Sequence, residues 1–192
     1  EELTYSVARE HGKVWAEAEG DVLKAKEGTE QAIAAPSLMM GESIMNASSG
    51  YDTTLYREPL GVFAGIVPFN FPAMIPMGWM TPICIATGNT IVIKAASMTP
   101  MTALKIAGLY KEAGLPAGVL NIVTCSRNEA EIFLRHPDVK GISFVGSTST
   151  GRHIYATAAA EGKRVQCLCE AKNHALVLAD SPVERTAAGI IN

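Results

Sequence analysis

From residue 61 onward, short apolar runs alternate with helix-length segments, and this alternation restricts the fold more than any other feature of the chain. The pattern predicts strands at 61–67, 90–94, 120–124, 141–145, 164–169 and 175–178, and helices at 73–86, 100–113, 128–135, 148–161 and 183–192. Ile91-Val92-Ile93 and Ile142-Ser143-Phe144-Val145 are continuous runs, as expected of strands covered on both faces. Strand–helix alternation of this kind implies an α/β fold. Its core is a doubly wound parallel sheet, a Rossmann-like arrangement that binds ligands at the C-terminal strand ends. The helix at 100–113 carries its own punctuation: Thr99 as N-cap, Pro100 in the first turn, Gly114 as terminator and Pro116 just beyond. Upstream, residues 1–46 read as N-terminal helices. Gly12 ends the first, and Gly28 and Pro36 break or kink the second, which is expected over 14–45. Residues 47–52 read as a turn and 53–57 as a short strand. The expected organisation is a helical segment at 1–46, a linker and arm at 47–60, and the α/β domain at 61–192.

With 192 residues, 48% hydrophobic and 18% charged, the chain can bury a full core and does not resemble a disordered segment. A net charge of −3 offers no phosphate-neutralising surface, so nucleic acid is not an expected partner. The longest apolar stretch, 71–86, holds Pro72, Pro76 and Pro82 and is too short to span a bilayer, so no membrane association is expected. Cys84, Cys125, Cys167 and Cys169 lack zinc-ligand spacing, and no metal site is expected. With no disulfide framework and no targeting pattern, a reducing, cytoplasmic setting is expected. The chain starts at Glu1 inside one expected helix and stops inside another, so it reads as a piece of a longer protein.

Three predicted strand ends carry polar groups. The first runs into Val67-Pro68-Phe69-Asn70-Phe71-Pro72, the second ends at Lys94, and the third opens into Gly146-Ser147-Thr148. The prolines remove competing N–H donors and stiffen the first loop. A carboxamide held in such a loop either satisfies loop backbone or stabilises a developing oxyanion. Lys94 is either a solvated strand-end lysine or a donor to ribose and phosphate. Gly146-Ser147-Thr148 opens a helix, and its free N–H groups suit either a plain N-cap or an anion. Cys167 and Cys169 share one strand face, which allows core packing or a redox or metal role. Glu170 is a candidate base or ribose contact, or a rim carboxylate. The four histidines have no triad-like spacing, and no residue of the chain stands out as a nucleophile.

Taken together, these residues resemble the aldehyde dehydrogenase superfamily. The resemblance rests on Arg57-Glu58-Pro59-Leu60-Gly61-Val62, Pro68-Phe69-Asn70-Phe71-Pro72, Gly88-Asn89-Thr90, Lys94, Glu112-Ala113-Gly114-Leu115-Pro116, Gly118-Val119-Leu120-Asn121 and Phe144-Val145-Gly146-Ser147-Thr148, in matching order and spacing. Three further stretches resemble its methylmalonate-semialdehyde dehydrogenase branch: Ser37-Leu38-Met39-Met40-Gly41-Glu42, the run at 68–77, and Gly162-Lys163-Arg164-Val165-Gln166 followed by Ala171-Lys172-Asn173-His174. The resemblance implies oxidation of an aldehyde (methylmalonate or malonate semialdehyde) through a cysteine thioester, with NAD as cofactor and CoA as the acyl acceptor. It implies that Asn70 supplies the side-chain half of the oxyanion hole and that Val67 and Phe69 line the cofactor site. Lys94 and Ser97, with Met98 adjacent, would meet the adenosine ribose, and Gly146 and Ser147 the pyrophosphate. It also implies a homo-oligomer joined through an arm at 43–56. The catalytic cysteine and catalytic domain are expected beyond residue 192, which leaves the chain alone inactive.

The chain departs from the family pattern at three places. Ser97 stands where a ribose-binding glutamate is usual, which removes a repulsion against a 2′-phosphate and implies tolerance of NADP. Leu168 stands where hydrolytic members carry their general-base glutamate, which fits release by CoA. Glu170 stands where glycine is usual and, two residues on, could face the same way and restore hydrolysis. The alternatives are therefore a hydrolytic semialdehyde dehydrogenase, a non-catalytic dinucleotide-binding module, and, more distantly, a redox or metal protein built on Cys167 and Cys169.

Overall fold

The computed structural model describes residues 1–171 and 173–191. Lys172, part of one matching run, and Asn192, the last residue of the expected final helix, lie outside the described residues. Helices α1 (Glu2–His11), α2 (Trp15–Ala32) and α3 (Ala35–Leu38) lead to strands β1 (Ser43–Ser48) and β2 (Tyr51–Thr54). Then come β3 (Val62–Ile66), a π-helix at Met74–Met80, α4 (Thr81–Ala86), β4 (Thr90–Lys94), α5 (Met101–Glu112) and β5 (Leu120–Val123). The chain continues through α6 (Arg127–Arg135), β6 (Val139–Gly146), α7 (Thr148–Ala160), β7 (Arg164–Cys169) and α8 (Val183–Ile191).

Strands β3 to β7 form one five-stranded sheet in the order β5-β4-β3-β6-β7, parallel throughout. Strand order runs outward from β3 in one direction and from β6 in the other, so the switch point lies between them, where doubly wound sheets open a ligand crevice. Side chains alternate across this sheet. Ala64, Ile142 and Phe144 pack against Leu134 of α6 and Ile154 and Ala158 of α7. Val67, Ile91 and Ile93 face the other way, against Ile75 and Met80 of the π-helix. A third cluster, Val7, Ala18, Ala25 and Ala73, joins α1 and α2 to the start of the π-helix.

The structure corrects several expectations. The helix expected over 14–45 ends at Ala32, restarts at Ala35 with Pro36 in its first turn, and ends at Leu38. Residues 43–46, expected helical, begin a fully exposed antiparallel hairpin that also takes the place of the turn at 47–52, while the strand expected at 53–57 survives only as its last residues, Thr53 and Thr54. Ser48 pairs with Tyr51 across a tight turn in which Gly50 adopts φ 78°, and Thr53 and Thr54 supply β-branched side chains to the ribbon. Gly28 neither breaks nor kinks α2. A Cβ at Gly28 would lie 2.3 Å from the Gly78 carbonyl oxygen, and one at Gly78 would lie 2.7 Å from the Ala25 Cα. Both glycines let two helical backbones touch, which a side chain at either position would prevent, at a cost of roughly 1 kcal/mol for a mid-helix glycine.

The helix expected over 73–86 is π-helical in its first half. Pro82 has no N–H to donate, and the chain answers with a wider turn in which the Thr81 N–H and hydroxyl both bond to the Pro76 carbonyl. The strand expected at 175–178 does not form. Its apolar run pairs with no neighbour, and Leu176 is 90% exposed. An apolar run specifies a strand only where a partner completes the ladder.

Candidate functional site

The three polar strand ends meet at the switch point. Ile66 is in register with Lys94 on β4 and with Phe144 on β6. Just past β3 the Val67 N–H donates to the Lys94 carbonyl at 3.3 Å, and Val67 is buried in the sheet core. The loop that follows leaves the core: Phe69 is 48% exposed, and the exposed Asn70 carboxamide makes no hydrogen bond to any described residue. An amide that satisfies no backbone is available to something that binds there, so the buttress reading of Asn70 finds no support.

Ser97 and Met98 occupy an exposed turn after β4. The two loops are tied together, because the Thr99 hydroxyl donates to the Phe69 carbonyl at 3.2 Å. Thr99 is thus not the cap of α5. The N–H groups of Met101 and Thr102 instead donate to the Glu10 carboxylate at 2.8 and 3.0 Å, so a side chain from α1 caps α5 across the fold. Sequence spacing could not reveal that cap, since donor and acceptor lie about ninety residues apart.

On β6, a Cβ at Gly146 would lie 2.5 Å from the Phe144 ring, and one at Gly151 would lie 2.2 Å from the Cys169 sulfur. These two glycines allow α7 to start close above the sheet. Ser147 holds the N-cap position of α7 in extended geometry, and its hydroxyl donates to Thr150 Oγ1 at 3.0 Å. Glu170, just past β7, has φ 46° and takes the Thr148 N–H at 3.5 Å. Its carboxylate therefore lies against the amino end of α7, and this contact gives no support to a base acting beside Leu168.

Between Lys94 and the α6–α7 pair lies a cleft of about 210 Å³, lined also by Arg127, Glu131, Thr150 and His153. His153 Nε2 and Glu131 Oε1 are 2.5 Å apart. Sequence reading gives Arg127 and Glu131 no role and finds no triad-like spacing for His153, because only the packing of α6 on α7 brings them and Thr150 to one place. Arg127 does carry a local signal. It opens a helix whose capping box, Ser126 and Glu129, is legible in sequence. Hydrogen bonds to it from the Ser126 N–H and, to a lesser degree, the Ser126 side chain hold the Glu129 carboxyl below its usual range.

The cysteines are all free thiols. Burial pushes the Cys84 thiol up to about 11, which keeps it protonated at neutral pH. Cys167 and Cys169 share a face, as expected, and both pack against the α6–α7 core. Cys167 donates to the Gly151 carbonyl at 3.5 Å, and burial raises its pKa as well. Among the described residues, no group of three or more histidines, cysteines and carboxylates is placed to hold a metal ion, and no helix is long and apolar enough to cross a membrane.

The crevice offers groups of the kind a dinucleotide uses: the amino end of a helix at Ser147, and Lys94 and Arg127 lining one cleft with Thr150 and His153. Comparison with known proteins agrees. The model of the aldehyde dehydrogenase family matches residues 1–192. The chain belongs to the aldehyde dehydrogenase family. It is 50% identical over 192 residues to malonate-semialdehyde dehydrogenase 1 of Geobacillus thermodenitrificans, covering 100% of this chain and 40% of that relative. A Sinorhizobium meliloti structure assigned as a methylmalonate-semialdehyde dehydrogenase, complexed with NAD, superposes with a TM-score of 0.95 at 43% identity, covering 99% of this chain and 38% of its own. The methylmalonate-semialdehyde dehydrogenase of Oceanimonas doudoroffii gives a TM-score of 0.87 at 44% identity, covering 90% and 35%. This aldehyde dehydrogenase chain therefore spans about 40% of the length of the curated relatives it matches.

Proposed function

We propose that this chain is the dinucleotide-binding part of an NAD(P)-dependent aldehyde dehydrogenase that oxidises malonate or methylmalonate semialdehyde and passes the acyl group to CoA. The observation that carries the reading is the convergence of the Asn70 loop, Lys94 and Ser147 at three neighbouring strand ends, on the switch point of a parallel sheet. When bound, the nicotinamide cofactor supplies the two-electron acceptor for the aldehyde. The chain's own residues bind and orient. Lys94 and Ser97 hydrogen-bond the adenosine ribose beside Met98. Gly146 admits the pyrophosphate to the Ser147 hydroxyl and the first N–H groups of α7, while Val67 and Phe69 wall the site. Asn70 donates its NH₂ to the oxygen that gains charge as the aldehyde carbon becomes tetrahedral.

Three finer readings belong to the same proposal. Leu168 cannot deprotonate water, which supports release by CoA rather than hydrolysis. With Ser97 in place of a carboxylate, and with Lys94 and Arg127 facing one cleft, NADP is accepted alongside NAD. The exposed apolar side chains of the hairpin, Ile44, Met45 and Tyr51, support assembly of the longer protein into a homo-oligomer, and the four free thiols support a reducing cytoplasmic setting.

Calorimetric titration of the 192-residue chain tests the cofactor reading. NAD+ and NADP+ are expected to bind within about tenfold of each other, Ser147→Ala and Lys94→Ala to weaken both about tenfold, and Ser97→Glu to weaken NADP+ selectively. No heat of binding with either dinucleotide would overturn it. For the chemistry, residues 1–192 replace the matched segment of the Geobacillus relative, and the hybrid is assayed with malonate semialdehyde. Product is expected to form as an acyl-CoA only when CoA is present, and Asn70→Ala is expected to lower kcat by roughly 10² to 10³. Free acid formed at full rate without CoA would establish the hydrolytic alternative.

A further inference from the structure

One short segment, the end of α1 and the residues just after it, grips both loops of the site. The Glu10 carboxylate holds the N–H groups of Met101 and Thr102, immediately after the loop bearing Ser97 and Met98. Next to it, the His11 ring stacks on Phe69 with centroids 6.1 Å apart and planes at 21°. Lys13 Nζ then lies 3.7 Å over the centre of the Phe71 ring and 3.6 Å from Asp21 Oδ2, with the two charged side chains only 8% and 0% exposed. Asp21 in turn takes the Met74 N–H on its other oxygen at 2.7 Å. Asn70 is thus flanked in the chain by two aromatic rings, each held from the same short segment, and the backbone downstream of it is held by the partner of Lys13.

This arrangement is an inefficient way to gain stability. The Lys13 ammonium and Asp21 Oδ2 are buried without an ordinary hydrogen bond, and an apolar pair of similar volume commonly stabilises as well or better. The charged cluster gives direction instead. A cation over a ring face fixes the ring's plane, and a carboxylate on a backbone N–H fixes the chain beyond it.

We propose that the segment at residues 10–13, the end of α1 and the residues just after it, is the positioning element of the site, with Glu10, His11 and Lys13 as positioning residues that hold the backbone at Asn70, from which the carboxamide projects, at a fixed spacing from the Ser97–Met98 turn. The inference rests on the reading of those loops given under Proposed function. It implies that the Asn70 loop and the Ser97–Met98 turn move as one unit, anchored from the N-terminal helices as well as from the sheet that carries Lys94.

The test is side-chain and backbone ¹⁵N relaxation of the 192-residue chain, combined with NAD+ titration. In the unaltered chain the Asn70 backbone N–H, which lies between the two held rings, is expected to be nearly as rigid as the sheet. Lys13→Met is expected to release it, with the order parameter falling from about 0.8 to below about 0.6, and to weaken NAD+ about tenfold. Lys13→Arg, which keeps a cation over the ring, is expected to restore both. Should Lys13→Met fail to fold, His11→Ala is expected to give the same change at smaller amplitude. Val7→Ala, fully buried in the same helical layer, serves as the control: it is expected to lower the unfolding midpoint and leave Asn70 rigid. Unchanged Asn70 relaxation in the Lys13 and His11 variants, or equal loosening by Val7→Ala, would overturn the inference. Absence of NAD+ binding by the unaltered chain would instead overturn the cofactor reading, and the relaxation measurements would still decide the role of the segment.

Discussion

At the residue scale, burial and backbone conformation decide which groups are available for chemistry. Cys84 faces the apolar side of the sheet, and its thiol is pushed up to about 11. Iodoacetamide at pH 8 is therefore expected to label Cys84 more slowly than Cys125, which peptide mass spectrometry reads directly. Glu170 presents the opposite case, a charged group set at the amino end of a helix that an anionic ligand would also use. Glu170→Gly removes that carboxylate and also relieves a left-handed backbone, so ADP binding is expected to tighten severalfold, measured by titration. The candidate residues Asn70, Lys94 and Ser147 were picked out by their positions at strand ends, and the topology sets those strand ends side by side. His11, Lys13 and Asp21 were not legible, because nothing local in a lysine between Gly12 and Val14 shows that it lies over the ring of Phe71.

At the element scale, the strands of the five-stranded sheet were readable, whereas the exposed hairpin β1–β2 was not and an apolar run without a neighbour was misread. The runs at 90–94 and 141–145 are realised as β4 and β6, the latter longer at both ends, because each lies between two neighbours. The equally apolar run at 175–178 has none and stays irregular. Gly28 was misread as a breaker for a related reason: what a glycine does inside a helix depends on what approaches it. Gly28→Ala raises helix propensity by about 1 kcal/mol but drives a methyl into the Gly78 backbone. A net loss of about 1–3 kcal/mol is expected, as a lower urea midpoint, and Gly20→Ala on the same helix, with open space around it, is expected to stabilise instead.

At the scale of the whole molecule, the N-terminal helices are joined through buried charge to the loop and π-helix that follow β3. Burial raises the Asp21 carboxyl above its ordinary 3.8, only partly offset by the Met74 N–H and the Lys13 ammonium. The folded state therefore binds this proton more tightly than the unfolded chain does. The Asp21 contribution to stability is most favourable below pH 3.8 and declines as pH rises through the raised value. Asp21→Asn cannot titrate, so from pH 4 to pH 7 the midpoint of the unaltered chain is expected to fall relative to that of the variant in parallel urea titrations. A rise would contradict the placement of this carboxylate.

The meeting of Gly28 and Gly78 sets a limit that reaches beyond the two residues. Without side chains between them, α2 can lie as near the π-helix as two peptide planes permit. A homologue with alanine at either position would have to carry its first two helices farther out, and the lysine would then stand too high above its ring to clamp it.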